Sequence, residues 1–155
     1  MKNPAVALLG IVLLCTAIGA RADLTIEITQ GSDNPTAIAV VPFAWQAAGT
    51  APEDVAQVIE SDLTRSGQFA PVARTDMLGL PSTQEEVFYR DWRALETEYL
   101  LIGKTSPTPN NGMRVDYELF DVLRQTRVFS GYESGPASDG RMLAHRVADK
   151  IYEHL

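Results

Sequence analysis

Thr36-Ala37-Ile38-Ala39-Val40-Val41-Pro42-Phe43 is the stretch that decides the fold. Ile38, Val40 and Val41 form an apolar run interrupted only by small Ala39, with no charge before the proline. A β-branched run of this kind suits a strand buried on both faces, which requires covering layers above and below. Proline has no N–H for a sheet ladder, so Pro42 is expected to mark the end of pairing.

Upstream, Asp23 to Thr29 alternates: Leu24, Ile26 and Ile28 on one side, Thr25, Glu27 and Thr29 on the other. That period predicts a half-buried strand. Gln30-Gly31-Ser32-Asp33-Asn34-Pro35 follows as a turn and linker. A terminal strand on such a tether has two readings. It is either a plain edge strand of its own sheet or a ribbon that leaves to pair with another protein.

Residues 1–22 have the form of a secretory signal peptide. Lys2 supplies a positive start, Ala5 to Ile18 an apolar run, and Ala20-Arg21-Ala22 a small-x-small cleavage pattern before Asp23. The alternative is an uncleaved anchor, for which the run is short. A lipid anchor on Cys15 is disfavoured, because Leu14 stands where lipoprotein signals want a small residue. Cleavage removes Cys15, the only cysteine, and with it any disulfide, thiolate nucleophile or thiolate ligand. It also removes Lys2 and Arg21, so the 13 basic residues fall to 11 against 20 acidic ones, a net charge of −9. Nucleic acid and anionic bilayers would meet net repulsion, and no basic run offsets it.

Downstream, Thr50-Ala51-Pro52-Glu53 has capping-box form. Val55, Val58, Ile59 and Leu63 recur at helical spacing to about Ser66, with Gly67 as the closing residue. Phe69 to Ala73 predicts a short strand. Phe88, Trp92 and Leu95 predict a short helix with one apolar side, and Tyr99 to Gly103 a second buried strand. Ser106 to Gly112 is a hairpin connection whose Asn111-Gly112 pair suits positive φ. Met113, Val115, Tyr117 and Leu119 alternate with Arg114, Asp116 and Glu118, and Arg127 to Glu133 returns as another strand. Ser138 is the expected cap of a last helix whose stripe is Leu143, Val147, Ile151 and Leu155. That stripe runs to the final residue, so the helix frays there or the natural chain is longer.

Catalytic patterns do not emerge. His145 has Asp149 one turn later, a pairing usual on a wet helix face. His154 lies nine residues beyond His145, unlike the i, i+4 spacing that aims two imidazoles at one metal. No nucleophile elbow, Walker loop or dinucleotide fingerprint occurs. Glu53-Asp54 and Glu85-Glu86 are adjacent carboxylates rather than a pair facing across a cleft. No catalytic, cofactor or metal residue is assigned, and no enzyme activity is expected.

Several segments in order are similar to one family. They are Ala39-Val40-Val41-Pro42-Phe43, Pro52-Glu53-Asp54-Val55, Asp62-Leu63 with Ser66-Gly67 and Phe69-Ala70-Pro71, and Trp92-Arg93-Ala94-Leu95 before the strand ending in Gly103. Tyr117-Glu118-Leu119-Phe120-Asp121-Val122 and the final helix follow. The chain resembles the N-terminal domain of the TolB family, the periplasmic component of the bacterial Tol–Pal envelope system. The resemblance implies an α/β fold, a mixed five-stranded sheet flanked by helices and like the anticodon-binding fold, here with an extra N-terminal strand. It implies three parts: a signal peptide over 1–22, a partner-binding strand and linker over 23–34, and the α/β domain over 35–155.

It also implies a periplasmic binding module of outer-membrane integrity, cell division and bacteriocin import rather than a catalyst. In the family the first dozen or so mature residues bind TolA, a protein reaching from the inner membrane. Carried over, the contact residues are Asp23, Leu24, Thr25, Ile26, Glu27, Ile28, Thr29, Gln30, Gly31, Ser32, Asp33 and Asn34. No cofactor is implied, and no membrane span remains after cleavage. Pal, the family's other partner, binds a C-terminal propeller, so Pal is expected only if a propeller follows. The chain is accordingly a fragment, a truncated product or a stand-alone envelope domain with another partner. Nucleic-acid binding by fold analogy is the remaining alternative. One departure stands out. The family usually has glycine where this chain has Glu96, so the helix there either ends differently or carries a left-handed non-glycine residue at a cost of about 1 kcal/mol.

Overall fold

The structure, a computed structural model, describes residues 34–155. The decisive stretch forms β1 (Thr36–Val40), whose Ile38, Ala39 and Val40 have no exposed surface. Pairing does not end at Pro42. It pauses there and resumes as β2 (Ala44–Trp45), so both pieces lie along one neighbour, β4 (Tyr99–Thr108). The partners shift from Val40↔Leu101 to Ala44↔Lys104, one residue out of step, and proline occupies the slack.

A crossover helix, α1 (Val55–Ser66), carries the chain from β2 to β3 (Phe69–Pro71). α1 starts later than the Thr50–Glu53 pattern predicts. Asp54 is the cap, and its carboxylate accepts the Gln57 N–H at 3.0 Å. Aspartate satisfies an orphan donor of the first turn directly, which leaves Pro52 outside the helix. Gly67 closes α1 at φ 69° with its N–H on Thr64, as expected. A short α2 (Tyr89–Ala94) precedes β4. Then β5 (Gly112–Asp121) and β6 (Thr126–Pro136) form a meander, and α3 (Gly140–His154) ends the chain.

The sheet order is β3-β1-β4-β5-β6, with β2 appended to β4. This is the expected mixed five-strand path plus one two-residue member. β1 runs parallel to β3 and β4, whereas β4, β5 and β6 are antiparallel. One face packs Ile38, Val40, Leu101 and Leu119 against α1 and α3, through Ile59, Leu63, Leu143 and Ile151 among others. The other packs Ala39, Leu100, Ile102 and Phe120 against Val87 and Trp92. Each fully buried aliphatic side chain here stabilises by about 1.5–3 kcal/mol relative to exposure.

Three local details differ from expectation. At the β4–β5 turn the positive φ values belong to Asn110 (60°) and Asn111 (55°). Asparagine tolerates that region. Gly112 serves instead to let the strands close, because a Cβ there would lie 2.2 Å from Thr108 Oγ1. Ser138 does not cap α3; its hydroxyl donates to Asp139, and a 3₁₀ turn over Ala137–Asp139 feeds the helix. Phe88 is not core. Val87 and Trp92 take the inward positions and leave Phe88 71% exposed.

Of the two endings expected at Glu96, the left-handed one is found, at φ 54°. The Thr97 N–H bonds Trp92 O at 3.1 Å and the Glu96 N–H bonds Arg93 O at 3.0 Å, so the cap's hydrogen bonds form with glutamate at this position. The last turn of α3 is tied down at both sides. Gln68 Nε2 donates to the Tyr152 hydroxyl, whose ring meets Phe69 edge-on, and His154 stacks on Phe129 with centroids 4.2 Å apart. Leu155 falls off the buried stripe.

Candidate functional site

The sequence places partner binding on Asp23 to Asn34. Of these only Asn34 lies within the described residues; Asp23 to Asp33 lie outside them. The structure shows where that segment joins the domain. Exposed Asn34 leads through Pro35 into β1, which sits between β3 and β4. Its entry is held by Glu98, whose N–H donates to Ala37 O at 2.9 Å and whose carboxylate accepts the Ala37 N–H at 3.3 Å.

Among the described residues the sheet has two outer edges, β3 and β6. β3 is three residues long and ends in Pro71, which blunts it. β6 spans eleven residues, with its register broken opposite Leu119 and Phe120. Under α3, Gly131 lies beneath the Tyr117 ring, where a Cβ would come within 2.8 Å of the hydroxyl.

The opposite face of β4–β6 carries an open polar groove of ≈ 480 Å³. Both arginines that line it, Arg114 and Arg127, are paired. Arg114 grips Asp116 at 2.7–2.9 Å and lies 3.8 Å over the Tyr132 ring, and Arg127 reaches Glu118 at 2.9 Å. The Asp116 carboxylate pushes the Arg114 guanidinium's pKa up. The Arg127–Glu118 pair and the stacking of Arg114 on Tyr132 cross from β6 to β5 and favour their register, whereas Arg114–Asp116 lies within β5.

The histidines have structural partners. His145 pairs across helices with Asp62 of α1, Nδ1 to Oδ2 at 2.5 Å, rather than with Asp149 on its own helix. His154 Nδ1 donates to the Lys150 carbonyl. The neighbouring carboxylates are likewise in use. Glu86 accepts from the Ser82 and Thr83 N–H groups, which holds its carboxyl below the ordinary range, and Glu53 lies 3.7 Å from Arg141. No group of three or more metal-ligating side chains occurs among the described residues, and no described helix is long and apolar enough to cross a membrane.

Two clasps escaped the sequence reading. Arg74 donates to both Asp54 oxygens at 2.8 and 3.2 Å and to Glu60 at 2.9 Å, strapping the segment after β3 onto α1. Its hydrogen bonds hold the Asp54 carboxyl below the usual range. Burial pushes Glu60 up, against the opposing pull of Arg74. The other is the His145–Asp62 bridge between α1 and α3. Their partners lie 14 to 83 residues apart, and no local spacing rule reaches that far.

Fold and surface together define a small α/β domain with a mixed sheet covered on both faces at its parallel half. The chain belongs to the family of TolB amino-terminal domains, whose sequence profile matches residues 24–128. It is 47% identical over 138 residues to a Tol-Pal system protein TolB of Marinomonas sp. (strain MWYL1), covering 88% of this chain and 32% of that protein. The crystal structure of TolB from Acinetobacter baumannii superposes with a TM-score of 0.64 at 29% identity, covering 83% of this chain and 30% of that one. The LpoB C-terminal domain from Escherichia coli shares the fold alone, with a TM-score of 0.51 at 17% identity, over 68% of this chain and 85% of that one. The chain spans about a third of the length of the curated relatives it matches.

Proposed function

We propose that this chain is a non-enzymatic, periplasmic protein–protein interaction module of the Tol–Pal envelope system, binding a TolA-like inner-membrane protein through Asp23 to Asn34. One observation carries the reading. Leu24, Ile26 and Ile28 alternate with Thr25, Glu27 and Thr29, on a glycine-bearing tether ahead of the central strand. An extended segment of that pattern adds to a partner's sheet edge by main-chain hydrogen bonds, its alternate side chains filling pockets: β-augmentation. The signal-like start and the relatives' name support the compartment and the system.

Deleting Asp23 to Thr29 abolishes capture of the TolA-like partner in a pull-down and leaves the melting temperature unchanged. Ile26→Pro weakens capture by removing one ladder donor. Capture that survives the deletion refutes the assignment. Nucleic-acid binding, suggested by the fold analogy, is opposed by the mature net charge of −9 and predicts a gel shift at low salt that this reading does not.

A further inference from the structure

The turn between β4 and β5 reads Thr108-Pro109-Asn110-Asn111-Gly112, and its geometry dictates the last two residues. Asn111 stands at φ 55°, a conformation asparagine tolerates better than most side chains. Gly112 follows because a Cβ there would lie 2.2 Å from Thr108 Oγ1 and 3.3 Å from the Gly135 and Pro109 carbonyl oxygens. The fold thus sets an asparagine directly before a residue with no side chain. That pair carries a chemistry the turn itself does not need. The backbone nitrogen of the second residue can attack the side-chain amide carbon of the first, and glycine leaves the approach open.

Three observations bear on that attack. Asn111 is exposed. Its side-chain amide has no hydrogen bond to any described residue, so no partner holds its Cγ away from the nucleophile. An open groove of ≈ 440 Å³ over the same turn, lined by Pro109, Asn110, Gly112 and Gly135 among others, brings water to it. The other described asparagines lack the combination. Asn34 precedes Pro35, whose nitrogen carries no hydrogen to lose. Asn110 precedes Asn111, whose side chain crowds the approach. The Asn111 main-chain carbonyl also has a structural duty. It accepts the Ala137 N–H at 2.9 Å, joining the turn to the 3₁₀ segment that feeds α3.

We propose that Asn111 is a site of spontaneous deamidation, and that its isoaspartyl product releases Ala137. The Gly112 nitrogen bonds to Asn111 Cγ, the Cγ–Nδ2 bond breaks, and ammonia leaves with the proton of the Gly112 N–H. Water then opens the five-membered imide at either carbonyl. Opening at Cγ gives aspartate in a normal backbone. Opening at the main-chain carbonyl gives isoaspartate, in which Gly112 hangs from Cγ and the backbone is one methylene longer. One water enters and one ammonia leaves, with no oxidant, reductant or cofactor. In the isoaspartyl form the former main-chain carbonyl becomes a carboxylate outside the backbone, so the acceptor of Ala137 is displaced from the turn. None of this rests on the partner reading above.

The test ages the purified chain for days in warm, mildly alkaline buffer, where an amide nitrogen is more readily deprotonated. Trypsin cuts after Lys104 and Arg114, so one peptide carries both Asn110 and Asn111, and electron-transfer fragmentation reads position and linkage. A synthetic Thr105–Arg114 peptide aged alongside is the reference. The expected result is loss of the Asn111 amide, with isoaspartate the larger product, while Asn110 and Asn34 stay intact. The folded chain reacts more slowly than the free peptide, because the attack requires the turn to open locally. Amide hydrogen exchange on the aged chain should show the Ala137 N–H losing protection in proportion to isoaspartate. Asn111→Gly suits the positive φ and lacks the reacting amide, so it should age without either change. Modification of Asn110 or Asn34 ahead of Asn111, or an intact Asn111 once the free peptide is fully converted, overturns the proposal. Equal loss of Ala137 protection in aged Asn111→Gly, or full protection in the isoaspartyl chain, overturns its second half.

Discussion

Gly103 sits inside a resemblance-bearing segment, and the structure explains why no side chain fits there. A Cβ at this position would lie 2.4 and 2.6 Å from two carbons of the Phe43 ring and 2.6 Å from the backbone carbonyl of Asp116. The ring can tilt; the carbonyl belongs to the paired strand β5 and cannot move without opening the ladder. Ordinary overpacking costs about 1–3 kcal/mol. Gly103→Ala adds a backbone obstacle to a side-chain one, so about 3 kcal/mol is expected. For a domain of this size that lowers the melting temperature by roughly 10 °C. Urea unfolding of the wild type, Gly103→Ala, Phe43→Ala and the double variant measures it. Phe43→Ala removes only the ring, so in that background Gly103→Ala should cost less than in the wild type but still more than about 1 kcal/mol. A single-variant cost below about 0.5 kcal/mol with an unchanged urea slope would refute the close-approach reasoning. A cost that vanishes without the ring would show that the carbonyl is no obstacle.

Glu96→Gly should raise stability by about 1 kcal/mol, because φ 54° is strained for glutamate and free for glycine; a denaturation midpoint that falls counts against it. Gly140→Ala should destabilise the domain although alanine is the better helix former, since its Cβ would lie 2.8 Å from Glu53 Cβ and 3.0 Å from Met113 Cε. Chemical denaturation decides the sign. Arg74 depresses the Asp54 carboxyl's pKa, so the pair's stabilisation is fully present above the unfolded value of about 3.9 and is lost as pH falls through the lower folded value. Asp54→Asn should therefore cost stability at pH 7 and converge on the wild type in strong acid, as thermal melts across pH would record.

Period and punctuation made most of the framework legible. The unbroken run Ile38–Val41 marked a strand covered on both sides, the Val55–Leu63 spacing marked α1, and Gly67 marked its end. The misses share a physical origin. Capping at Asp54 instead of Thr50 depends on which side chain reaches a first-turn N–H, and the outward turn of Phe88 on which of it and its neighbour Val87 meets the sheet; a local pattern leaves both open. Resumption of pairing after Pro42 depends on β4, some sixty residues away.

β1 is both the first described strand and the middle of the sheet's parallel half, flanked by β3 on one side and β4 on the other. A pull on the residues ahead of Thr36 therefore runs along the axis of a strand held on both edges. Evenly spaced parallel-ladder bonds share such a load and must rupture together in shear, where an edge strand would unzip one bond at a time. Tension applied ahead of Thr36 is therefore divided between two ladders, one to β3 and one to β4.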